Sequence, residues 1–197
     1  MESNYIKKSE FLISVAKKED VMKTDLPQIA VVGKSNVGKS SFINFLAGNT
    51  KLARVSKTPG RTRFINYFKF NEGFILVDLP GYGYAKASVD EKNKWKDLVD
   101  GFFNDSNDLK HVLLLVDLRH DLTENDLIMY NFLFRKNLPF SVVATKSDKL
   151  PKSKVKNQVN HLAAILKLGS GDIIPISAQA GAGKTQIIEK LKEVLKT

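Results

Sequence analysis

Short apolar runs alternate with amphipathic segments along most of the chain. Residues 29–32, 63–70, 74–77, 112–116, 140–144 and 173–176 are rich in β-branched and aromatic side chains. Runs of this length and composition fit strands buried on both faces of a sheet. Between them, residues 40–47, 90–103, 123–136, 152–167 and 184–195 carry the mixed polar and apolar pattern of helices. Thr123 and Asp126 form an [ST]-x-x-[DE] pair that opens the third of these. Asn71-Glu72-Gly73 joins two of the runs as a hairpin-type turn. Strand and helix in alternation predict an α/β fold, a three-layer doubly wound mixed sheet. The sheet is expected to be mostly parallel, with one antiparallel edge strand supplied by the 63–77 hairpin. Residues 1–9 are polar and expected to be flexible, with 10–197 as one domain.

Composition narrows the classes of function. The chain has 197 residues, enough for a full core without metals or disulfides. It has no cysteine, which excludes disulfides and thiolate metal sites and fits a reducing, cytoplasmic location. Its three histidines, His111, His120 and His161, lie in different segments and argue against a histidine-rich zinc site. No run of about eighteen apolar residues predicts a transmembrane helix. The first twenty residues lack the apolar core and cleavage site of a signal peptide. A formal charge of +10 favours a polyanionic partner, with RNA the foremost candidate. The plainer alternative is a generally lysine-rich surface.

The strongest chemical signal is Gly33-Lys34-Ser35-Asn36-Val37-Gly38-Lys39-Ser40, followed by Ser41. It matches GxxxxGK[ST] between a predicted strand and a predicted helix, the context the motif requires. Such a loop wraps its N–H groups around phosphates, aided by the positive end of the next helix. Lys39 is expected to reach the β- and γ-phosphates, and the Ser40 hydroxyl to ligate magnesium. A looser match, Ala178-Gln179-Ala180-Gly181-Ala182-Gly183-Lys184-Thr185, is read as a loop and helix start. No strand follows it to carry a magnesium-binding aspartate.

Asp78-Leu79-Pro80-Gly81 ends an apolar run and forms DxxG. Asp78 is expected to hold magnesium through water, and Gly81 N–H to sense the γ-phosphate. Between the two motifs lies the polar loop Lys57-Thr58-Pro59-Gly60-Arg61-Thr62-Arg63. A switch threonine in such a loop binds magnesium only when the γ-phosphate is present, and Thr58 and Thr62 both qualify. Thr145-Lys146-Ser147-Asp148 matches [NT]KxD. Its carboxylate can accept from guanine N1–H and the 2-amino group, a donor pair that adenine lacks. Lys146 covers the base with its aliphatic stem, and Ile176-Ser177-Ala178 brings a backbone N–H to guanine O6. All these motifs fall at predicted strand ends, where doubly wound sheets bind ligands.

The set GKSNVGKSS, TPGRT, VDLPGYGYAK and TKSD resembles the EngB family (also called YihA or YsxC) of bacterial translation-factor-class GTPases. DLPGYGYA is the most specific part, and the likeness runs from about residue 10 to the end. The resemblance implies a Ras-like P-loop GTPase domain with GTP or GDP and magnesium as ligands. It also implies a role in assembling the large ribosomal subunit and a requirement for normal cell division and septation. It places the family's PGxT on Pro59-Gly60-Arg61-Thr62 and so selects Thr62 for the magnesium role. Where the family usually has Gln next, this chain has Arg63.

Lys39, Thr62 and Gly81 are thus the expected catalytic set. The residue after DxxG, where many GTPases place a water-orienting Gln, is Tyr82. Slow intrinsic hydrolysis follows, driven by electrostatic stabilisation of the transferring phosphoryl. Asn36 is a candidate potassium ligand, as in some related GTPases, or simply a residue suited to the turn. Tyr82, Tyr84, Lys86, Arg61 and Arg63 either form a surface for RNA or ribosomal protein, or the tyrosines pack on the neighbouring helix. The expected protein is a monomeric switch acting on the ribosome or its large-subunit precursor. Competing readings are a GTPase of the membrane or division machinery and a P-loop ATPase or kinase.

Overall fold

A computed structural model of the chain describes residues 5–55, 64–71, 73–83 and 88–196. Among them, seven strands and five α-helices follow in the order β1 (Ser9–Val15), β2 (Gln28–Gly33), α1 (Lys39–Ala47), β3 (Ile65–Phe70), β4 (Phe74–Asp78), α2 (Val89–Asp105), β5 (Leu109–Asp117), α3 (Glu124–Arg135), β6 (Phe140–Thr145), α4 (Lys152–Leu166), β7 (Ile173–Pro175) and α5 (Lys184–Leu195). The strands form one sheet in the order β1-β3-β4-β2-β5-β6-β7. β2 pairs in parallel with β4 on one side and β5 on the other. The loop leaving β2 therefore sits at the switch point of the sheet.

Alternation along β2 builds both cores at once. Ile29 and Val31 join Phe42, Ile43 and Leu46 of α1 and Ile187, Ile188 and Leu191 of α5. Ala30 and Val32 face the opposite way, onto Leu98 and Phe102 of α2, Leu133 of α3 and Leu162 of α4. All these side chains are buried. Each large one contributes roughly 1.5–3 kcal/mol relative to exposure. The result is the expected three-layer α/β class. Thr123 and Asp126 form the expected capping box at α3, and Ser88 with Glu91 forms another at α2. No helix among the described residues is long and apolar enough to cross a membrane.

Two details differ from the sequence reading. β3 is the strand that runs against the others, but β1 pairs outside it and forms the edge. The apolar run Phe11-Leu12-Ile13-Ser14-Val15 signals β1, and the sequence reading does not assign it to a strand; in the fold Glu10 through Ser14 are exposed and only Val15 is fully buried. Within residues 1–9, the described part is tied to the hairpin rather than free. The Asn71 side chain accepts from Lys7 N at 2.7 Å and Lys8 N at 3.1 Å, and its amide donates to the Tyr5 carbonyl. Asn71 holds a left-handed backbone (φ 54°), which an Asn tolerates well.

His111 of β5 is buried, with Nε2 2.9 Å from the Ser141 hydroxyl. Burial lowers its pKa from 6.5 to about 4, with Lys190 adding to the fall and Glu193 opposing it. The unfolded chain therefore takes up this proton first as pH drops. Stability from the neutral imidazole is complete above about pH 6.5 and declines toward pH 4. Between pH 7.5 and pH 5 the expected loss is about 2 kcal/mol. Urea unfolding of His111→Gln at the two pH values should show that part of the slope removed. An unchanged slope would mean that His111 is not its source.

Candidate nucleotide site

The loop after β2 curls back over the sheet and opens α1 with Gly38 at φ 113°. Gly33 lies where a Cβ would stand 2.8 Å from the Leu115 carbonyl oxygen and 2.9 Å from Val37 Cγ1. A side chain there would push Val37 out of its buried place. Asn36 has φ 65°, so the turn alone accounts for an asparagine at this position. Ser40 and Ser41 lie in the first turn of α1 beside Lys39, whose side chain is 8% exposed.

The DxxG segment is laced to this loop. Leu79 N donates to Val31 O at 3.1 Å, Tyr82 N to Gly33 O at 3.4 Å, and Ser35 N to Tyr82 O at 2.9 Å. Pro80 O accepts from Trp95 Nε1 of α2 at 2.9 Å. Gly81 then lies so close to the loop that a Cβ would stand 3.0 Å from Ser35 Oγ and 3.1 Å from Lys39 Nζ. Asp78 is buried, and its Oδ1, 3.9 Å from Lys39 Nζ, has no hydrogen-bond partner among the described residues. Burial raises its pKa, while Lys39 and a hydrogen bond from Asn66 act against the rise. An orphaned carboxylate oxygen at this point suits a hydrated cation.

The base-side loop meets the phosphate loop directly. Thr145 Oγ1 lies 2.8 Å from Val37 O and 3.1 Å from Val116 O, so its one proton can go to either carbonyl, the nearer being Val37 O. Lys146, at φ 62°, donates from Nζ to Asn36 O at 2.8 Å and to Asp117 Oδ2 at 2.9 Å. Burial alone would raise the Asp117 pKa. Hydrogen bonds from Arg119 and Lys146 outweigh it and hold the carboxyl well below the usual range. Arg119 grips Asp117 with Nε at 2.9 Å and Nη2 at 2.8 Å. The sequence reading does not single out Asp117 or Arg119. The signal is there, since Asp117 ends β5 as Asp78 ends β4.

Asp148 accepts from the Ser177 hydroxyl at 2.6 Å and faces Lys149 Nζ at 3.1 Å. The Ser177 hydrogen bond leads in lowering its pKa, so the carboxylate is ionised and fixed in direction. Ser147 N donates to Ile176 O at 3.0 Å. Ser177 N is taken by Ala182 O at 3.0 Å, which passes the expected N–H role to Ala178. A cleft of about 650 Å³ runs from Lys146, Asp148 and Ala178 past Val37 and Gly38 to Phe45 of α1, and its lining does not include Lys39, Ser40, Asp78 or Gly81. A second groove of about 630 Å³, bordered by Tyr130 and Phe134, contains none of the motif residues.

Gly60, Arg61, Thr62 and Arg63, with Thr58, Tyr84 and Lys86, lie outside the described residues. Tyr82 is described, and it does not form an exposed stacking surface. It is 7% exposed, with its hydroxyl donating to Asp126 Oδ1 at 2.8 Å. The second glycine-rich string is a hairpin turn leading into α5. Lys184 there points at the end of α1, its Nζ 5.7 Å from the Phe45 ring centroid.

This fold and these loops define a P-loop GTPase. A family model described as 50S ribosome-binding GTPase matches residues 28–146. The chain is 45% identical over 190 residues to the probable GTP-binding protein EngB of Caldanaerobacter subterraneus subsp. tengcongensis, covering 96% of this chain and 98% of that one. It is 41% identical over 189 residues to the protein of the same name from Oceanobacillus iheyensis, covering 95% and 97%. The crystal structure of a probable GTP-binding protein engB is similar at a TM-score of 0.71 and 27% identity, over 86% of this chain and 98% of that one. A crystal structure of Era in complex with MgGDPNP and nucleotides 1506–1542 of 16S ribosomal RNA gives a TM-score of 0.68 at 25% identity, over 87% of this chain and 57% of Era. The chain belongs to the EngB family of GTP-binding proteins.

Gly183, at φ 84°, leaves no room for a methyl group, since a Cβ would stand 2.5 Å from Pro175 O. Gly183→Ala should cost about 2 kcal/mol or more, read as a lower melting temperature. Lys184→Ala should leave GDP affinity within about two-fold, because a structural loop loses only a charge there. Loss of GDP binding in Lys184→Ala would restore the second string as a nucleotide site.

Proposed function

We propose that the chain binds GTP and GDP across the cleft between the phosphate loop and Asp148, hydrolyses GTP slowly, and acts as a cytoplasmic, monomeric switch on the precursor of the large ribosomal subunit. The observation that carries the reading is the ionised Asp148, held by Ser177 in a cleft that also borders Val37 and Gly38 of the phosphate loop. Guanine satisfies this carboxylate with N1–H and the 2-amino group. Adenine leaves it unpaired, at a cost of about 1–3 kcal/mol or more. Ala178 N–H serves guanine O6, and the Lys146 stem covers the ring.

At the other end, residues 33–41 wrap the phosphates, with Gly60, Arg61 and Thr62 completing the site from the switch loop. Ser40 and Thr62 would hold magnesium directly and Asp78 through water, in keeping with the orphaned Asp78 oxygen. Bound there, the ion would neutralise charge on the β- and γ-phosphates. Lys39 stabilises charge on the transferring phosphoryl, and Gly81 N–H detects the γ-phosphate. The Tyr82 hydroxyl is engaged with Asp126 of α3, away from the phosphate loop, which supports a low intrinsic rate. A potassium ion at Asn36 would add positive charge beside the phosphates, the alternative being an asparagine there for the turn alone; faster single-turnover hydrolysis in potassium than in sodium chloride supports the ion, and equal rates remove it.

The family's description and the +10 charge support a ribosomal partner, and the requirement for septation follows from the resemblance. Co-sedimentation with large subunits in a GTP analogue but not in GDP tests the partner. Binding to anionic vesicles instead would favour the membrane reading. For the nucleotide, Asp148→Asn should weaken GDP on the order of 100-fold and improve binding of xanthosine diphosphate, whose C2 carbonyl accepts from the new amide. Competition titration reads both. Unchanged GDP affinity would remove Asp148 from the base site.

A further inference from the structure

Tyr82 follows Gly81, and its main chain is bonded to the phosphate loop through Ser35 N and Gly33 O. Its side chain runs the other way, into the core under α3. There the hydroxyl donates to Asp126 Oδ1 at 2.8 Å, with both residues 7% exposed. The other Asp126 oxygen is held by Thr123, from its N at 2.9 Å and from its Oγ1 at 2.6 Å. The carboxylate is thus fixed at the start of α3 and cannot follow a moving tyrosine without leaving its cap.

A capping box is complete with two residues, so α3 does not need a third. A phenylalanine would fill the same apolar space. The hydroxyl therefore has a use beyond packing. The neighbouring geometry says what it is: Gly81 lies so close to the loop that a Cβ would stand 3.0 Å from Ser35 Oγ and 3.1 Å from Lys39 Nζ, a tight fit. Any slip of Tyr82 shifts Gly81 relative to Lys39.

We propose that Asp126 is a positioning residue for the DxxG turn, holding Gly81 in register with the phosphate loop through its hydrogen bond to Tyr82 and linking γ-phosphate binding to the start of α3. The inference rests on the reading of Gly81 as the γ-phosphate sensor. GDP makes no use of Gly81, so the bond matters for GTP and not for GDP. Burial, with the Asp126 carboxylate adding to it, raises the Tyr82 pKa and keeps the hydroxyl a donor. Trp95, the only tryptophan, donates to Pro80 O within the same turn and reports its movement.

The test titrates the full chain with GDP and with a non-hydrolysable GTP analogue in magnesium, following Trp95 fluorescence. In Tyr82→Phe, GDP affinity should stay within about two-fold while the analogue weakens about tenfold, the scale of one hydrogen bond to a charged group. The fluorescence difference between the two nucleotides should shrink. Asp126→Ala should shift the affinity ratio equally, with a larger loss of melting temperature because the cap also goes. The double variant should shift the ratio no further. An unchanged ratio in Tyr82→Phe, or additive shifts in the double variant, overturns the proposal. If Asp126→Ala does not fold, Tyr82→Phe keeps the cap and decides alone. Wild-type protein that fails to bind GDP would instead sink the nucleotide reading on which the proposal stands.

Discussion

The site depends on what happens to the carbonyl groups of the phosphate loop. A loop that turns its N–H groups toward a ligand turns carbonyls away from it, and buried carbonyls need donors. Here the donors come from the end of β6. Thr145 supplies a hydroxyl to Val37 O, and Lys146 supplies an ammonium to Asn36 O. The phosphate-side and base-side loops are therefore joined by hydrogen bonds of their own. Lys146 adopts a left-handed backbone to make its bond, a conformation that costs an L-residue roughly 1–2 kcal/mol. Asp117 offsets that cost by holding the ammonium from below, and Arg119 holds Asp117. A cleft assembled in this way loses little freedom when a ligand enters.

Much of this was legible in the sequence, because the motifs are local and each needs only one strand end. The strands β2, β4, β5, β6 and β7 begin and end within a few residues of the apolar runs that predict them. The capping box at Thr123 is read from two letters. Longer-range contacts are not legible in this way. β1 carries the apolar run FLISV, but its place at the edge, where most of that run is exposed, depends on pairing with β3 far along the chain. Asn71 looks like a turn residue and is one, but its side chain also fixes a segment that lies far from it in sequence. Ser177 is expected near the base for its backbone. Its hydroxyl, which orients Asp148, is a second use that only the fold brings into contact.

The two glycine-lysine strings show the same limit from the other side. Both follow a strand and open a helix, and both end in Gly-Lys followed by a hydroxyl residue. They differ in what surrounds the backbone. Gly38 has open space where a Cβ would project, as a loop built around a ligand requires. Gly183 is pressed against Pro175 and Ile176 of its own chain, so no ligand can approach that side. Lys39 lies buried between Asp78 and Gly81, whereas Lys184 faces an aromatic ring. Space and neighbours separate a phosphate site from a tight turn here, and the letters alone do not.

The departures from the usual motif letters follow one rule. Thr145 stands where Asn is common and Tyr82 where Gln is common, and each is explained by a partner in the folded chain. An asparagine offers an amide, with a donor and an acceptor held apart. A threonine offers one short hydroxyl, and the close Val37 and Val116 carbonyls are spaced to suit it. A glutamine after DxxG could reach toward the phosphates. A tyrosine with a buried carboxylate behind it is drawn the opposite way, away from the phosphate loop. What the sequence presents as a missing catalytic group is, in the structure, a tether between the turn and helix α3.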